Sequence, residues 1–114
     1  MAEYRGPDFS NREKDVMVVT LDTDIKILPP TVDNNKGMVK VAQMIEQAAE
    51  GTLDYATVDM DEYLAIVAAT MSNNTDMRRI TPGYLNSIGF DMSDIGEFLG
   101  GYLFFVTRLL EGKN

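Results

Sequence analysis

The spacing of apolar and polar positions changes character along this chain. In residues 15–28, VMVVTL is β-branched, and in DIKIL Ile25 and Ile27 alternate with Asp24 and Lys26. That period of two predicts a β-hairpin turning at Asp22-Thr23. Pro29-Pro30 ends the second strand, because proline has no N–H to give to a ladder. From Thr31 to Glu50 the period becomes helical. Met38, Val41, Met44, Ile45 and Ala48 fall on one stripe, with Lys40, Gln43, Glu46, Gln47 and Glu50 opposite. Thr31 or Asp33 is the expected N-cap, and Gly51 suits the left-handed position after the last turn. A second helix is expected over Asp59–Ser72, capped by Asp59 and turning Tyr63, Ile66, Val67 and Met71 inward. Thr81-Pro82 opens a short helix carrying Tyr84, Leu85 and Ile88 and ending at Gly89.

The last segment, DMSDIGEFLGGYLFFVTRLLE from Asp91 to Glu111, differs in kind. Ile95, Phe98, Leu99, Tyr102, Val106, Leu109 and Leu110 recur at helical spacing. Leu103, Phe104 and Phe105 then spread apolar surface round most of the cylinder. A chain of 114 residues has difficulty covering such a helix alone, which points to burial against another copy or another protein. Adjacent side chains on a helix project about 100° apart, so Phe104 and Phe105 cannot both face one core. Tyr102, Phe104, Phe105 and Leu109 are the expected interface residues, with Leu99 and Val106 assigned to the intrachain core. Gly96 and Gly100 each cost roughly 1 kcal/mol of helix stability against alanine. They are read as a small-residue groove that admits a neighbouring backbone, within the fold or across subunits.

The fold expected is therefore α+β and mainly helical, an N-terminal hairpin packed on three to four helices. Residues 1–14 show no period and are read as a flexible arm with two isolated aromatics, Tyr4 and Phe9. Residues 15–114 form the single domain. Eight methionines are many for this length; most read as core filling, though flexible methionine surfaces also suit adaptable interfaces.

Charge and chemistry narrow the function. The net charge is −8 and the isoelectric point about 4.3, so phosphates would be repelled and direct nucleic-acid binding is not expected. The chain has no cysteine and no histidine. Disulfides, thiolate metal sites and the commonest general base are absent with them. The acids Asp54, Asp59, Asp61 and Glu62 lack calcium-loop spacing and read as a helix start enriched in negative charge. Arg78-Arg79 could clamp a phosphate or an acidic partner, or simply be solvated. No phosphate loop or nucleophile elbow appears. No catalytic, cofactor or metal residues are assigned, and no enzyme activity is expected. The N-terminus carries no signal pattern and no run spans a bilayer, so a soluble protein of the cytoplasm is expected.

The layout resembles the small tail assembly chaperones of long-tailed bacteriophages. The likeness lies in the polar arm, the segment DVMVVTLDTDIKIL, Pro29-Pro30-Thr31 leading into an amphipathic helix, the acidic helix DMDEYLAIVAATM and the stretch ITPGYLNSIGFDMSDIGEFLGGYLFFV. It covers residues 15–110. The resemblance implies a non-enzymatic protein that oligomerises and coats the apolar helices of the tape measure protein until tail tube subunits displace it. Two other classes are open to the same sequence. One is a structural virion component, such as a head–tail connector or a capsid-associated protein. The other is an acidic inhibitor that mimics nucleic acid.

Overall fold

Two β-branched tetrads separated by Leu21-Asp22-Thr23 can do little but pair. In the computed structural model, which describes Glu3 and residues 15–111, Met17–Thr20 (β1) and Asp24–Ile27 (β2) form an antiparallel hairpin. Met17 lies opposite Ile27 and Val19 opposite Ile25, so these four share one face. Ile25 and Ile27 are buried by the helices behind them. A two-stranded sheet is marginal alone, and here residues 73–75 reinforce it. The Leu28 N–H donates to the Asn73 carbonyl at 2.8 Å and the Thr75 N–H to the Lys26 carbonyl at 3.0 Å. The outer edge of β2 is thereby covered.

Four helices follow: α1 (Val32–Glu50), α2 (Met60–Met71), α3 (Pro82–Ser87) and α4 (Met92–Glu111). Each start is made by a side chain the sequence offers. Thr31 Oγ1 accepts from Asn34 N–H at 3.1 Å, Asp59 from Asp61 and Glu62, and Thr81 from Tyr84 at 3.0 Å. Asp91 and Asp94 bond reciprocally: each carboxylate accepts from the other's backbone N–H, at 3.0 and 2.9 Å. Gly51 closes α1 at φ 76°, where a Cβ would be strained. The fold is thus α+β and mainly helical, with the hairpin at its N-terminal side. Apart from Glu3, the expected arm at residues 1–14 lies outside the described residues.

The core joins all of these elements. Met38, Val41 and Met44 of α1 meet Leu64, Val67 and Met71 of α2, Leu85 of α3, and Ile95, Phe98 and Leu99 of α4. Helices α1 and α2 approach closely at Gly37, where a Cβ would come within 2.7 Å of Ile66 Cγ2. The Tyr102 hydroxyl donates to Asn35 Oδ1 at 2.6 Å, tying α4 to α1.

The segment between α2 and α3 is built around one buried side chain. Asn74 is 4% exposed; its Nδ2 donates to the carbonyls of Met71 and Arg78, and its Oδ1 accepts from the Arg78 N–H. Ser72 Oγ accepts from the Ile80 N–H, and its single proton lies within reach of the Ala68 and Ile80 carbonyls, at 2.8 and 3.0 Å. Among the described residues, no helix is long and apolar enough to cross a membrane.

Candidate interaction surface

Helix α4 buries one face and leaves another bare. Ile95, Phe98, Leu99, Tyr102 and Phe105 recur at helical spacing and are buried. Val106 is half-buried against them. On the far side Leu103 is 49% exposed, Phe104 67% and Leu110 71%. With Gly100 and Thr107, also exposed, they trace a second stripe along the helix. The Arg108 guanidinium lies 5.8 Å from the centre of the Phe104 ring, a cation on an aromatic face at the surface.

This arrangement corrects part of the sequence reading. Tyr102 and Phe105 were expected at an interface, yet they are 2% and 8% exposed. The reason is rotational phase. Phe98, Tyr102 and Phe105 are spaced by four and three residues, so all three fall on one side of the helix, and Tyr102 gains a hydroxyl partner there on Asn35 of α1. Of the adjacent phenylalanines, Phe104 is the one that points away. Leu109 is half-buried and sits at the margin between the two faces.

The glycines divide likewise. A Cβ on Gly96 would meet Ile45 Cδ1 of α1 at 3.9 Å, so that position lies in intrachain packing range. A Cβ on Gly100 would meet nothing within 4 Å, and one on Gly101 would meet Met17 Sδ of β1 at 3.6 Å. Gly101, not singled out from sequence as an interface position, is where the hairpin rests on α4.

Between β1 and α4 runs an open groove of about 1290 Å³. Strand β1 forms one wall, Phe98, Phe104 and Phe105 the other, and Tyr84, Ile88 and Phe90 one end. Sequence reading missed it, because a groove between elements as far apart in sequence as β1 (Met17–Thr20) and α4 (Met92–Glu111) leaves no periodic trace. Beside the turn, Arg78 bonds both carboxylate oxygens of Asp22, at 2.6 and 3.2 Å, and lies 5.2 Å from the Tyr84 ring centre. That hydrogen-bonded guanidinium holds the Asp22 carboxyl below its usual range. Arg78 is therefore occupied within the chain rather than held out for a phosphate.

The acidic cluster also has local uses. Asp54 accepts from the Ala56 N–H, Asp59 caps α2, and Glu62 lies 3.9 Å from Lys40. Among the described residues, no group of three or more acidic side chains could hold a metal ion. Comparison with known proteins finds no matching family model, no matching curated protein and no matching solved structure.

Proposed function

We propose that this protein is a non-enzymatic tail assembly chaperone of a long-tailed phage, one that self-associates and shields apolar helices of a client such as the tape measure protein. One observation carries the reading: Leu103, Phe104 and Leu110 stand exposed together on α4 of a small acidic body. Contiguous apolar side chains of this size are kept on a surface when something else covers them. Phe104 is the anchor, a large aromatic flanked by a guanidinium and by the open space at Gly100. The same stripe serves sister copies and client helices, because both offer an apolar helical face. The carboxylates of Asp59, Asp91 and Asp94 cap helices, so nothing in their placement favours the nucleic-acid mimic.

Coexpression with the phage's tape measure protein tests the reading. The wild type keeps that client in the soluble fraction, Phe104→Asp lets it precipitate, and the protein is absent from purified virions. A client equally soluble with either form, or a protein retained in the particle, overturns it.

A further inference from the structure

The groove beside β1 has a wall that no helix can use. In an antiparallel ladder the N–H and C=O of a residue point the same way, and successive residues alternate. The Leu21 N–H donates to the Thr23 carbonyl at 3.0 Å, and Lys26 and Leu28 bond residues 73–75. Ile25 and Ile27 therefore face β1, and Val19 and Met17 face β2. The backbone groups of Val16, Val18 and Thr20 point the other way, along the groove. Among the described residues β1 pairs with β2 alone, and none of their strands lies beside this edge. Met17–Thr20 itself contains no proline and no charge, with Asp15 and Asp22 lying beyond its two ends, and Val18 is 55% exposed.

We propose that β1 and its groove take an extended segment of the client protein as an added strand, with basic and apolar side chains in alternation. The backbone edge demands an extended occupant, because only a strand presents N–H and C=O groups at that repeat. The phenylalanine floor fits the apolar half of its side chains. Charge fits the other half: Asp15, Asp22, Asp94 and Glu97 line the groove against Arg108 alone, and only Asp22 of the four carries an ion pair among the described residues. That the segment belongs to the client rests on the chaperone reading; the strand chemistry rests on the edge itself.

The test uses the full chain and a blocked peptide of about eight residues alternating lysine and valine, long enough to run the length of β1. Expected are saturable binding, at least tenfold weakening when alternate peptide nitrogens are methylated, similar weakening when glutamate replaces lysine, and slowed amide exchange at Val16, Val18 and Thr20. Val18→Pro removes an outward donor while sparing the bonds of Met17 and Val19 to β2, and it also loses the peptide. Undiminished binding of the methylated peptide, or no binding of any peptide, overturns the inference, and neither outcome depends on a variant that folds. Slow exchange at Val18 in the protein alone overturns the client as occupant: independent of concentration it assigns the edge to residues 1–14, and dependent on concentration to a second copy. In the coexpression assay, a client held by Val18→Pro but released by Phe104→Asp leaves the chaperone reading standing and removes the strand. Peptide binding with the expected pattern beside a client that is never held does the reverse.

Discussion

Single side chains decide how the loops and helices are joined. Asn74 replaces three pieces of backbone pairing at the end of α2, and its neighbour Asn73 donates to the Pro29 carbonyl at 3.0 Å. From sequence, Asn73-Asn74 reads only as a helix stop, because the carbonyls they serve are placed by tertiary structure. Asn74→Ala strands buried polar groups and should lower unfolding free energy by about 1–3 kcal/mol, read from urea denaturation. Tyr102 gives a prediction in pH. Burial pushes its hydroxyl pKa above the ordinary phenol value. The folded state then keeps the proton longer than the unfolded chain, so this contribution is full below about pH 10 and is lost as pH rises through the folded value. Tyr102→Phe should be less stable at neutral pH by about 1 kcal/mol, for the lost Asn35 bond. Its stability should also decline less between pH 10 and the alkaline limit, about the phenol range. An identical alkaline decline in both proteins would show that the phenol is not shielded. The choice between Phe104 and Phe105 was legible only as a pair: 100° separates them, and the helix's phase against its neighbours selects which one leaves.

At the scale of elements the chain is read with little error where caps and periods agree. Thr31, Asp59, Thr81 and Gly51 mark boundaries that α1, α2 and α3 adopt, because each satisfies backbone groups a helix end leaves bare. Residues 73–75 escaped, since so short a strand-like addition has no period to detect. Glycines show why context overrides propensity. Alanine at Gly37 and at Gly100 would each gain about 1 kcal/mol from helix propensity alone. At Gly37 the added methyl would press on Ile66 of α2, while at Gly100 it enters open space. Thermal unfolding should therefore show Gly37→Ala destabilised and Gly100→Ala stabilised. Two stabilised variants would mean that α1 and α2 lie farther apart than described.

For the whole molecule the proposed function turns on apolar α4 surface that the core leaves uncovered. Sequence indicated the surplus, and the structure locates it on Leu103, Phe104 and Leu110 while withdrawing Tyr102 and Phe105 into the interior. The groove against β1 was illegible beforehand, since it depends on how the hairpin rests on Gly101. Removing one phenylalanine from a buried contact is worth about 1.5–3 kcal/mol, which is roughly tenfold or more in association. The most direct test is sedimentation velocity across protein concentration for the wild type and Phe104→Asp, with circular dichroism to confirm the fold. The account predicts a wild type that assembles and a natively folded variant that sediments as one subunit or associates at least about tenfold more weakly. A wild type that remains a single subunit at every concentration, and binds no client, would contradict it.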